Sequence, residues 1–344
     1  MTKFLLTGGS GFIAAHILEQ LLEAGHTVVT TVRSEPKAAP IRKAHANDIS
    51  SGKLEVFIVP DINAPGAFDN VVKSPNIELV LHTASPFHYK FSDPQTELLD
   101  PAINGTTSIL RAVTASCPTV KRVVITSSFA SIINDTYITD PNFTFSEKDW
   151  NPITPDQIYT SKANAYRASK TFAEMSAWKF VEEEKPGWDL ATICPPLVFG
   201  PLAHHIDSLL EVNTSNERIV GLAEGHWKEN GIPPTAVYFW VDVRDVAKAH
   251  IQATLVSEAG GKRFLVTAGY FCHDDMVEAV GKEFPSLKEK LPQVGTENGV
   301  LPPADKICKV DNERATKVLG IDWIGIGKST VDTVKSLDKV DKLI

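Results

Sequence analysis

Apolar residues recur along the first half of the chain in two alternating rhythms. Short runs at 3–7, 27–32, 54–59, 78–83 and 122–126 have the length and β-branched content of strands buried on both faces. Between them apolar positions take up helical spacing. Over 12–24 they are Phe12, Ile13, Ile17, Leu18, Leu21 and Leu22, and a further helix is predicted over 100–115. Strands alternating with helices predict right-handed βαβ units, and so an α/β fold built on a doubly wound parallel sheet.

Beyond Ser128 the pattern changes. Residues 134–157, rich in Asn, Asp, Thr and Pro, predict a long excursion over the surface. A long helix over 164–184 is stopped by Pro186-Gly187, and a strand over 188–194 ends at Pro195-Pro196. Residues 200–235 read as irregular, followed by a strand at 238–241, a helix at 243–256 and a strand at 263–266. The expected division is a sheet domain over 1–195, rejoined by the strand and helix near 237–256, with 196–344 forming mainly a smaller C-terminal lobe.

Composition narrows the function classes. A net charge of −8 speaks against a nucleic-acid partner, whose binding needs a basic face. No apolar run approaches the ~20 residues of a membrane span, and none resembles a leader, so a cytoplasmic protein is expected. Cys117, Cys194, Cys272 and Cys308 are widely spaced, which fits free thiols rather than a disulfide frame or a zinc knuckle. His204-His205 and His273-Asp274-Asp275 lack ligand spacing and read as a surface loop and a helix start, so no metal is expected.

Candidate chemistry begins where the first strand meets the first helix, at Gly8-Gly9-Ser10-Gly11-Phe12-Ile13-Ala14. Small residues there let the backbone turn tightly and approach a pyrophosphate, which the helix N-terminus attracts. Gly8, Ser10, Gly11, Phe12 and Ile13 are therefore assigned to a dinucleotide, and the sheet to the Rossmann type. At the end of the second strand, where an NAD enzyme carries an acid for the ribose 2′-hydroxyl, stand Arg33 and, a turn later, Lys37. Two cations suit a 2′-phosphate, so NADPH is favoured over NADH. Asp61-Ile62 and Thr83-Ala84-Ser85 follow the next strands and point at the same crevice, although Asp61 also suits a turn.

Tyr166 and Lys170 share one helix face at i and i+4. A phenol has a pKa near 10, and a neighbouring ammonium favours its ionised form. The pair suits proton donation to a carbonyl oxygen as hydride arrives, with Lys170 also holding the nicotinamide ribose and Ser128 bonding the developing alkoxide.

Taken together, Thr7–Ala14, Val32-Arg33-Ser34, His82-Thr83-Ala84-Ser85-Pro86, Thr126-Ser127-Ser128, Tyr166–Lys170, the 195–201 segment and Trp240–Ala247 resemble the extended short-chain dehydrogenases/reductases. The similarity is to the branch with dihydroflavonol reductases and fungal aldehyde and methylglyoxal reductases. It implies an NADPH-dependent reduction of aldehydes or ketones, with Ser128 rather than Ser127 as the catalytic serine. It also implies that Pro195 and Val198 flank the nicotinamide, that Ser215 reaches the cofactor, and that Asn104 supports the active-site strand. A small-molecule carbonyl substrate and a monomer or homodimer are expected. Phe87, Phe129, Tyr238 and Trp240 are candidates for an apolar substrate pocket.

Two other functions use the same fold. A nucleotide-sugar epimerase or dehydratase also employs a Tyr–Lys pair, but dehydratases place acids after the serine strand, where this chain has Phe129-Ala130. Its 197–238 segment offers only Arg218 for a diphosphate. A non-catalytic NADP-sensing regulator needs neither Tyr166 nor Lys170.

Overall fold

Each predicted strand of the first half forms, and the order in which they pair places the candidate site. The computed structural model describes residues 1–85, 91–235 and 237–344. The chain runs β1 (Lys3–Thr7), α1 (Phe12–Glu23), β2 (Thr27–Val32), α2 (Glu35–Ala44), α3 (Ala46–Ser50), β3 (Leu54–Ile58), β4 (Leu79–His82), α4 (Asp100–Ser116) and β5 (Arg122–Thr126). It continues with β6 (Thr144–Phe145), α5 (Lys162–Glu184), β7 (Asp189–Cys194), β8 (Leu197–Phe199), α6 (Glu217–Glu224), α7 (His226–Asn230), β9 (Phe239–Asp242), α8 (Val243–Leu255) and β10 (Lys262–Leu265). Then come β11 (Gly269–Tyr270), α9 (His273–Glu283), β12 (Lys309–Val310), α10 (Glu313–Leu319) and α11 (Ile326–Leu337).

Among the described residues seven strands form one sheet in the order β3-β2-β1-β4-β5-β7-β10, every pair parallel. From β1 the chain builds outward to β3 and then crosses back to β4. The strand order therefore reverses between β1 and β4, and a crevice opens at their carboxyl ends. One face of the sheet is covered by α1 and α8, whose Ile17, Leu18, Leu21, Val243 and Val246 join Phe4, Leu6 and Leu81 in a single core. Each such fully buried aliphatic side chain contributes ~1.5–3 kcal/mol. The other face packs Ile109, Leu110, Val113, Ala177 and Phe180 of α4 and α5 against Leu5, Val80 and Val123.

The second half departs from expectation in two places. The strand near 238–241 does not rejoin the large sheet. As β9 it pairs with β8 and β11 in a three-stranded sheet, and only α8 returns. Pro195 and Pro196 stop β7 and redirect the chain before β8, so β9 meets a new partner. The stretch read as irregular, 200–235, contains α6 and α7. Both are short, and Gly225 between them adopts a left-handed conformation (φ 91°) that breaks the helical period. With α9 and α11 they bury Ile219, Leu222, Trp227, Met276, Val280 and Val334 in the core of the smaller lobe.

Candidate functional site

The turn after β1 is held by its own backbone and by the neighbouring strands. The Gly9 N–H donates to Thr31 O (2.8 Å), the Gly11 N–H donates to Gly8 O (2.9 Å), and Gly8 takes φ +75°. Thr83 Oγ1 donates to Thr7 O (2.6 Å), and His82 Nδ1 lies 2.8 Å from Thr7 Oγ1, tying β4 to the same turn. A Cβ on Gly9 would sit 2.1 Å from Thr30 Oγ1, itself buried and donating to Leu6 O. Gly9→Ala is therefore expected to destabilise the fold by ~1–3 kcal/mol, as overpacking does. Thermal unfolding checks this: the loss should shrink when the alanine is introduced beside Thr30→Ala, because the two sites touch.

α1 opens this crevice with Gly11 at its N-cap, no side-chain cap and no acidic residue in its first turn. Arg33 is exposed at the end of β2. A cavity of ≈ 930 Å³ runs from Gly9-Ser10 between α1 and α2, past Lys37 and His45, to His204 and Asp207.

On the opposite wall α5 begins at Ser161, whose Oγ accepts the Asn164 N–H (3.1 Å), and ends at Lys185 (φ 45°) before Pro186. Its inward face carries Tyr166 and Lys170. Tyr166 Oη lies 3.4 Å from Ser128 Oγ, at the end of β5. Lys170 Nζ donates to Ser85 Oγ (3.2 Å), beyond the end of β4. Residues from three separate segments thus meet at the carboxyl ends of adjacent strands. Burial lowers the Lys170 ammonium to about 8. Burial, reinforced by Lys170, takes His82 down to about 3, so His82 supports Thr7 as a neutral ring.

Three comparisons bear on this arrangement. Residues 4–266 match the NAD dependent epimerase/dehydratase family. Over 338 residues the chain is 42% identical to a ketoreductase of Aspergillus niger, with 97% of each chain covered. The chain belongs to the extended short-chain dehydrogenase/reductase family. A putative NADPH-dependent methylglyoxal reductase of Candida albicans is 38% identical over 98% of both chains. Among solved structures, yeast methylglyoxal/isovaleraldehyde reductase complexed with NADPH superposes with a TM-score of 0.91 at 34% identity, covering 100% of both chains.

The residues present fit a dinucleotide. An uncapped α1 N-terminus offers amides to a pyrophosphate, Gly8 leaves room for close approach, and Arg33 offers an exposed guanidinium to a further phosphate. Ile62 packs on Gly105 of α4. Asp61 forms a turn, its Oδ1 accepting the Asn63 N–H (2.8 Å). Lys37 is ion-paired with Glu211 (3.2 Å), a partner 174 residues away with no signal in the sequence. Ser215 Oγ accepts the Val198 N–H (3.2 Å), which joins those two residues, and Pro195 O accepts the Phe129 N–H (2.8 Å), which ties Pro195 to the end of the serine strand.

Several expected positions lie elsewhere. Phe129 is 3% exposed, packed edge-on between Phe145 and Phe239, and Trp240 is 2% exposed beside Phe199 in the smaller lobe's core. Phe129, at the start of a short 3-10 helix after β5, and Trp240, on β9, are both enclosed by apolar neighbours. Tyr238 is half-buried, and Phe87 falls outside the described residues. Asn104 is exposed on α4 and lines a small cavity with Asn63 and Gly66. All four cysteines are free, no metal-binding group occurs among the described residues, and none of their helices is long and apolar enough to cross a membrane.

Proposed function

We propose that this chain is an NADPH-dependent carbonyl reductase in which Ser128, Tyr166 and Lys170 manage the carbonyl oxygen. The observation that carries the reading is the meeting of Tyr166 Oη and Ser128 Oγ at 3.4 Å beside Lys170, at the edge of a dinucleotide crevice. Full-length relatives named as ketoreductase and methylglyoxal reductase support it, as does the NADPH bound to the yeast reductase. The α1 N-terminus, Arg33, Thr83–Ser85, Lys170 and the Pro195–Val198 stretch would hold NADPH, which would supply the hydride when bound. The Tyr166 phenol donates its proton to the substrate oxygen. Ser128 Oγ donates a hydrogen bond to the same oxygen as charge develops there. Lys170, as an ammonium, favours the phenolate that Tyr166 leaves behind. Residues 1–195 with α8 and β10 form the cofactor side, and 196–344 supplies most of the substrate side. A cytoplasmic setting is supported by the four free thiols.

The test is NADPH oxidation with a panel of aldehydes, 2-oxoaldehydes and ketones, with nucleotide sugars as controls. Oxidation by the carbonyls alone is the expected result, and turnover only of nucleotide sugars would overturn the reading. A pH profile adds a sign. Lys170 is a base whose pKa is lowered to about 8, so its charged form prevails below that pH and disappears above it. kcat/KM for reduction is therefore expected to fall as pH rises through about 8. A profile that stays flat across the alkaline range would remove Lys170 from this role.

A further inference from the structure

The helix face that carries Tyr166 and Lys170 continues one turn further to Glu174, at i, i+4 and i+8. Glu174 is 1% exposed and surrounded by donors. Arg263 of β10 donates Nε to Oε1 (2.7 Å) and Nη2 to Oε2 (3.1 Å), and Thr192 Oγ1 of β7 donates to Oε1 (2.7 Å). Ser127 Oγ donates to Oε2 at 2.6 Å, and Ser131 Oγ lies at the same distance from it. Ser131 Oγ is also 2.8 Å from the carbonyl oxygen of Ser128. Arg263 is fixed in turn. Its Nη1 donates to Glu147 O (2.9 Å) and Asp149 O (2.6 Å), and its guanidinium lies 3.6 Å over the Trp150 ring. Burial alone would raise the Glu174 carboxyl, but the bonds and charge of Arg263, with Ser127 and Ser131, hold it below the usual carboxylate range.

A buried ion pair is a poor device for stability alone, since apolar residues of similar volume often serve as well or better. This one is aimed. One carboxylate oxygen grips the hydroxyls on both sides of Ser128, and it does so from the helix that bears Tyr166. We propose that Glu174, anchored by Arg263, is a positioning residue that sets the Ser128–Tyr166 separation through Ser127 and Ser131. It touches neither substrate nor cofactor. The inference rests on the reading in which Ser128 and Tyr166 share the carbonyl oxygen.

The decisive variants are Ser127→Ala and Ser131→Ala, which remove one strap each and leave the charge pair intact. Steady-state reduction, NADPH affinity by fluorescence, thermal unfolding and the primary isotope effect with NADPH deuterated at the transferred position are measured for both. kcat is expected to fall about 10-fold or more, given that a 1 Å misplacement can cost ~10²-fold. The isotope effect should rise, while NADPH affinity stays near wild type and the thermal midpoint falls only modestly, by the loss of one hydrogen bond to a buried carboxylate. A crystal structure of either variant should show Ser128 Oγ and Tyr166 Oη further apart than 3.4 Å. Glu174→Gln, which keeps an acceptor, should lose less than Glu174→Leu if both fold. Unchanged kcat and isotope effect, or losses that merely follow stability or KM, would overturn the proposal. Tyr166→Phe separates the two layers. If that variant is active, the underlying reading fails; if it is inactive while both alanine variants are normal, the positioning role alone fails.

Discussion

Tyr166→Phe is expected to lower kcat for carbonyl reduction by about 10²–10⁴-fold, the range that a positioned general acid supplies. At 1.36 kcal/mol per tenfold, that is ~3–5 kcal/mol of transition-state stabilisation. The substitution removes one oxygen and little volume from a half-buried ring on α5, so no cavity opens and the helix keeps its packing. NADPH binding should therefore persist, because Gly8, Arg33 and Lys170 are untouched. Fluorescence titration for the cofactor and initial rates for the reduction check the two halves separately. A variant with wild-type kcat would remove Tyr166 from the chemistry.

Arg33→Ala is expected to weaken NADPH binding about 10–150-fold, the equivalent of one lost charge-assisted hydrogen-bond set worth ~1.5–3 kcal/mol. NADH, which lacks the 2′-phosphate, should bind the variant and the wild type alike. Of the two cations expected there, Arg33 should carry the larger share. It stands exposed at the carboxyl end of β2, whereas Lys37 already answers Glu211. An exposed pair such as Lys37–Glu211 contributes only ~0–1 kcal/mol, so Lys37 can exchange partners at small cost, and Lys37→Ala should have the milder effect. The measurement is the ratio of dissociation constants for NADPH and NADH. An unaltered ratio in Arg33→Ala would place the 2′-phosphate elsewhere.

Much of this was legible along the chain because it depends on local spacing. The apolar runs of β1, β2 and β5 announce strands buried on both faces, and the glycines after β1 announce a tight turn before α1. Tyr166 and Lys170 share a face because a helix repeats every 3.6 residues, wherever that helix is packed. The choice of Ser128 over Ser127 came from resemblance, and the geometry separates the two: Ser128 Oγ faces Tyr166, while Ser127 Oγ faces Glu174.

Other features depended on which segments meet. Phe129 and Trp240 carry the same aromatic signature whether they line a pocket or fill a core, and only their neighbours decide between the two. The partners of β9 followed from the redirection of the chain at Pro195-Pro196. Arg263 and Glu174 are 89 residues apart, and Lys37 and Glu211 are 174 apart, distances over which no periodicity speaks. Sequence alone determined the parallel sheet, its glycine turn and the tyrosine–lysine face, because each follows from backbone geometry within a few residues. Tertiary structure decided the serine's orientation, the buried carboxylate behind it and the closing of the aromatic cores, because burial and charge pairing belong to the assembled neighbourhood and to no single segment.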